Sequence, residues 1–153
     1  MSKHTAFNAA AAAGRVLMSI IFLLSGFQKL TKFSGTAVYM ASQGLPVPDL
    51  AALVAIVVEC IGGLFVLVGF QTRVVGLVLA VWCIATALVA HTNFSDANQM
   101  IHFLKNLAMA GGFLQLAAFG GGAWSTDFRL ARARRARISL ADGRIRHGLH
   151  GHQ

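Results

Sequence analysis

Glu59 stands near the middle of an unbroken apolar block that runs from Leu50 to Phe70. At the centre of a membrane-spanning helix a charged side chain costs about 2.5 to 3.5 kcal/mol on insertion scales, so this carboxylate needs company inside the protein. Two cations are in range by helical rise. Taking 1.5 Å per residue, Glu59 lies roughly 14 Å from one end of its block, and Lys105 lies roughly 8 Å in from the same side on a later block. Arg15 approaches from the opposite side on the first block, with a similar offset. Either is expected to serve as partner, or both.

The block containing Lys105 carries a polar face of its own. His102, Lys105, Asn106 and Met109 are spaced by three and four, which places them on one side of a helix. Hydrocarbon cannot solvate such a face, so it is expected to look into the protein. Arg15, Glu59, His102, Lys105 and Asn106 are therefore the candidate ligand-binding residues, lining a buried polar site suited to a carbonyl-bearing ligand or to passing a proton. The competing expectation is a structural ion pair that fixes helix register. No catalytic residue can be assigned on these residues alone.

Other chemistry-bearing residues are less specific. His91 and His102 lack the H-x3-H or carboxylate-histidine spacing of a metal site and are expected to be interfacial polar residues. His147, His150 and His152 fall in a basic tail, where stable metal coordination is not expected. Cys60 and Cys83 lie inside apolar blocks with no CxxC spacing, which favours two buried thiols over a redox dithiol. No metal site is expected, and no haem-ligand pair, flavin motif or iron-sulfur cysteine set is present.

The elements that must position these residues follow from composition. Of 153 residues 56% are hydrophobic and 12% charged, against roughly a quarter charged in an average soluble domain; the mean hydropathy is +0.66. The apolar residues form four blocks, at about Ala9 to Phe27, Leu50 to Phe70, Val74 to Ala90 and Met100 to Phe119. Each approaches the roughly 20 residues that a crossing needs. The expected fold is an all-α integral membrane four-helix bundle, with residues 1–128 as the transmembrane domain and 129–153 as a basic, His-containing cytoplasmic tail, disordered or lying as a surface helix.

The first block lacks a small-residue cleavage pattern, because Phe27, Gln28 and Lys29 follow Gly26 directly, so it is expected to persist as a helix with Lys29 and Lys32 reaching for the interface. Thr31 to Asp49 reads as a loop, with room for a short interfacial helix over Thr36 to Ser42. Gln71-Thr72-Arg73 is a tight connection that makes the second and third blocks antiparallel neighbours.

The formal charge is +8. Much of it lies after the fourth block, at Arg129, Arg132, Arg134, Arg135, Arg137, Arg144 and Arg146, and with four crossings Arg73, Arg15 and Lys3 fall on the same side. The positive-inside rule makes that side cytoplasmic, giving an N-in/C-in protein of the inner membrane. The arginine run suits anionic lipid headgroups or simple anchoring. Without interleaved aromatics it does not suggest nucleic acid.

With those residues in view, the chain resembles the DoxX family of small bacterial membrane proteins. The resemblance rests on GRVLMSIIFLLSGFQKL, GLPVP, VECIGGLFVLVGFQTRVVGLVLAVW, KNLAMAGGFLQLAAFG and STD, in that order. Its matching positions are Arg15, Gly26, Lys29, Glu59, Gly62, Gly63, Arg73, Lys105 and Asn106. It implies a four-helix membrane fold and an association with quinone-linked redox systems, without a uniform catalytic assignment. The expected function is an accessory component of a quinone-linked redox assembly in the inner membrane, with membrane lipid and redox proteins as partners, the cofactor unknown and quinone as its candidate. The alternative is a non-enzymatic scaffold or small-solute permease subunit.

Overall fold

In the computed structural model, residues 3–150 are described, with side chains for residues 4–140. The side chains of Lys3, Arg144, Arg146, His147 and His150, and all of His152, therefore lie outside the described set, as do the expectations attached to them. The described residues form six helices: α1 (Lys3–Thr31), α2 (Phe33–Ser42), α3 (Pro48–Val68), α4 (Thr72–Ala90), α5 (Ala97–Phe119) and α6 (Thr126–His150).

Local chemistry sets the ends of the helices. α1 begins at Lys3, ahead of the apolar block, and the run Ala9 to Ala13, the strongest helix formers, carries the helix from that polar start into the hydrophobic stretch. Pro48 and Asp49 open α3, where a missing N–H and a negative charge are both favourable. Gly69, with φ 70°, closes α3 in the left-handed conformation, its N–H donating to the Val66 carbonyl. Asp96 caps α5 by accepting from the Asn98 N–H, so the helix starts at Ala97 within a stretch that reads as polar loop.

Among the described residues, three helices are long and apolar enough to cross a membrane: His4–Thr31 of α1, Pro48–Val68 of α3 and Thr72–Ala90 of α4. The expected fourth span, α5, is long enough, about 34 Å at 1.5 Å per residue. Its first half is less apolar because it carries Asn98, Gln99, His102, Lys105 and Asn106.

The helices pack chiefly as two antiparallel partnerships, α1 with α3 and α4 with α5, and α2 lies against α3. Between the partnerships sits a core of Phe22, Val66, Leu79, Ala80, Cys83, Ala110, Phe113 and Leu116. Phe22 and Phe113 meet edge to face, ring centroids 5.1 Å apart, tying α1 to α5. The outward faces carry Leu17, Leu53, Val81 and Leu88, each more than half exposed. A water-facing surface would not present so many large apolar side chains, whereas acyl chains would cover them.

Candidate functional site

Glu59 projects from α3 toward α1 and is buried, at 6% exposure. Its partner is Lys29. The ammonium Nζ donates to both carboxylate oxygens, at 2.7 and 2.9 Å, and to Ser25 Oγ at 2.6 Å. The expectation that Lys105 or Arg15 pairs with Glu59 is thereby corrected. The reason lies in helix geometry: side chains lean toward the N-terminus of their own helix. Lys29, close to the C-terminal end of α1, is thus aimed back along α1 toward Ser25, one turn earlier, and meets Glu59 instead of reaching outward.

Close approach of the two helices makes the pairing possible. A Cβ at Gly26 would stand 2.6 Å from Cys60 Sγ and 3.2 Å from Glu59 Cβ, so only glycine permits this α1–α3 separation at the level of the carboxylate.

The pair forms one wall of a cavity of about 360 Å³ between α1, α3, α4 and α5. His102, Lys105 and Asn106 line the same cavity, so four of the five candidate residues are brought together. Asn106 is almost fully buried and donates to the His102 carbonyl at 3.0 Å. Lys105 makes no hydrogen bond or ion pair among the described residues and is exposed at the cavity wall. His91, at the end of α4, stacks on His102 with ring centroids 5.0 Å apart, and its Nδ1 lies 2.8 Å from Gln99 Oε1. A proton on Nδ1 satisfies that contact and leaves Nε2 as an acceptor. Trp82 and Thr86 of α4 complete the side toward α2.

Arg15 is the fifth candidate, and it is elsewhere. It is buried at the far end of the α1–α3 pair, donating to the carbonyls of Val66 and Leu67 and, at 2.9 Å, to that of Trp124. Its Nε has no partner among the described residues. Lys29 lies 14 residues further along α1, about 21 Å at helical rise, which is why one side chain reaches Glu59 and the other does not.

Arg15 belongs to a knot joining three segments at that end. Asp127, in the first turn of α6, accepts from the Gln71 and Thr72 N–H groups at 2.7 and 2.8 Å and from the Thr72 hydroxyl at 2.7 Å. It thereby fixes the α3–α4 turn, where Gln71 takes the uncommon φ of 49°. The Thr126 hydroxyl donates to the Val68 carbonyl. Burial pushes the Asp127 carboxyl up, but the hydrogen bonds from Thr72 and Gln71 and the charge of Arg15 outweigh it and hold the group below the ordinary carboxylate range. Asp127 was not among the expected site residues. The STD segment marks it as a helix-start residue, but nothing local shows that it reaches back across 55 residues to Thr72.

The DoxX family model matches residues 10–92, which include Arg15, Lys29 and Glu59. The chain belongs to the DoxX family. It is 42% identical over 113 residues to the inner membrane protein YqjF of Escherichia coli, covering 74% of this chain and 85% of that one. It is 39% identical over 120 residues to the inner membrane protein YphA of the same organism, covering 75% and 86%. CatD of Bacillus subtilis, which carries the provisional name of an oxidoreductase, is 36% identical over 74 residues, 48% of this chain and 54% of CatD. No solved structure matches the chain. This DoxX protein is a multi-pass protein of the bacterial inner membrane, as its relatives' names and its own apolar helices agree.

Proposed function

We propose that this DoxX protein is an accessory component of a quinone-linked redox assembly and that the cavity beside Glu59 receives a quinone head group. One observation carries the reading: a buried, ion-paired carboxylate opens onto a cavity whose opposite wall holds Lys105, a cation without a partner among the described residues. A quinone carbonyl is an acceptor that needs such a donor, and Asn106, whose Nδ2 gives one N–H to the His102 carbonyl and has a second, is a further donor lining the cavity. Glu59 and the His91–His102 pair are the groups able to take up or release the accompanying proton. The provisional oxidoreductase name of CatD lends support at a distance.

In this reading α5 is a fourth crossing. Its polar half faces the cavity and its apolar residues face lipid, and N- and C-termini share the arginine-rich cytoplasmic side. Arg15 serves the terminal knot and not the quinone.

The test is genetic and biochemical. In a strain lacking the native gene, K105M and E59Q proteins that insert and fold should fail to restore respiratory quinone turnover supported by wild type. Full restoration by both would end the redox reading.

A second reading is a non-enzymatic scaffold or permease subunit in which the pair only sets helix register. It is favoured by the completeness of the Lys29–Glu59 contact, in which both carboxylate oxygens are already satisfied.

A further inference from the structure

The polar cavity does not end at Glu59. A second cavity of about 400 Å³ shares Lys29 and Glu59 with it and reaches Met40 and Ala90. A third, of about 430 Å³, shares Met40 and Ala90 with the second and lies under the Leu45–Val47 loop, between α3 and α4. Trp82 and Thr86 border all three. Along this route the walls change character. The first carries Lys29, Glu59, His91, His102 and Lys105, whereas the third has no charged residue and is built from side chains such as Leu45, Leu50, Val54, Ala85 and Val89.

From this gradient we infer that the site takes an amphipathic ligand lengthwise: the prenyl tail of a membrane quinone leaves the polar cavity past Trp82 and Thr86 and lies in the apolar groove between α3 and α4. The inference rests on the quinone reading above and extends it by naming the ligand class as long-tailed. Each volume falls in the range of roughly 300 to 1,000 Å³ typical of small-molecule sites, and their continuity suits one elongated molecule better than three separate ones. Burying apolar chain gives affinity in proportion to its area, while the few polar groups at one end fix orientation. Tyr39 of α2 helps hold the enclosing wall, its hydroxyl donating to the Ala90 carbonyl at 3.3 Å.

The experiment compares two benzoquinones that differ only in the tail: 2,3-dimethoxy-5-methyl-1,4-benzoquinone and its 6-decyl derivative. Each is titrated into wild-type protein and into A85F and V54F, two variants that fill the groove away from Glu59 and Lys29, in one detergent. Wild type should bind the decyl compound at least about tenfold more tightly than the tail-less one. Either folded groove variant should lose that advantage while keeping its affinity for the tail-less compound within about twofold. Equal affinity of wild type for the two compounds, or equal weakening of both by the groove variants, overturns the tail groove and leaves the quinone reading standing. Retention of one phospholipid that neither compound displaces assigns the groove to an acyl chain and also overturns the inference. Failure of wild type to bind either compound removes both readings.

Discussion

Lys29 and Glu59 form a two-pronged ion pair between α1 and α3, the ammonium 2.7 Å from one carboxylate oxygen and 2.9 Å from the other. The two ends are unequally sheltered, with 25% of the lysine side chain exposed and 7% of the glutamate. That inequality has a consequence for substitution.

Removing the lysine leaves a mostly buried carboxylate without its charge partner, whereas removing the glutamate leaves a less buried lysine whose long stem can find the surface. K29M should therefore cost about 3 to 5 kcal/mol, the usual cost of breaking a buried pair from one side. E59Q should cost nearer 1 kcal/mol, as a lost hydrogen bond does. The double variant should recover most of the K29M loss. Reversible unfolding in detergent measures all three, and equal losses from the two single changes would show that the carboxylate is not the sheltered partner.

Gly26 and Gly111 provide a matched contrast. A methyl at Gly26 meets Cys60 Sγ at 2.6 Å, but one at Gly111 meets nothing within 4 Å. G26A should lose about 1 to 3 kcal/mol by forcing α1 from α3. G111A should be neutral, or more stable by up to about 1 kcal/mol through helix propensity. Thermal unfolding of the two variants under one set of conditions decides the matter.

The Asp127 knot should loosen in acid. Its carboxyl is held below the ordinary range in the folded chain, so its contribution is fully present above the unfolded value, about 3.9, and is lost as pH falls through the lower folded value. Protease cleavage within the arginine run of α6 should rise over that acid window in wild type. In D127N it should already be high near neutrality and change little with pH. A wild-type profile that is flat down to the acid limit would mean the carboxylate does not secure α6.

The proposed topology has its own check. Single cysteines at Phe94, before α5, and at Leu140, in α6, introduced into a chain with Cys60 and Cys83 replaced by serine, should be labelled by impermeant thiol reagents from opposite faces of the membrane. Labelling from one face would leave three crossings and place α5 outside the bilayer.

The membrane character and the need of Glu59 for a partner inside the protein were legible in the sequence because both depend on depth, and depth follows from counting residues at a fixed rise. The partner was not, because Lys29 was read as an end residue reaching outward, and the N-terminal lean of helical side chains sends it the other way. Helix ends were less legible than apolar spans. Residues 3–8 and the capped start at Asp96 extend α1 and α5 through segments that hydropathy does not mark. His102, Lys105 and Asn106, which share a face through their three- and four-residue spacing on α5, line one cavity. The separation of Arg15 from them, and its place beside Asp127, depend on pairing between segments distant in the chain.

Organic-solvent extraction of the purified, folded protein tests the central claim most directly. Near-stoichiometric quinone should accompany wild type and fall severalfold in K105M and E59Q. A well-folded wild-type bundle from native membranes that yields no quinone would contradict it.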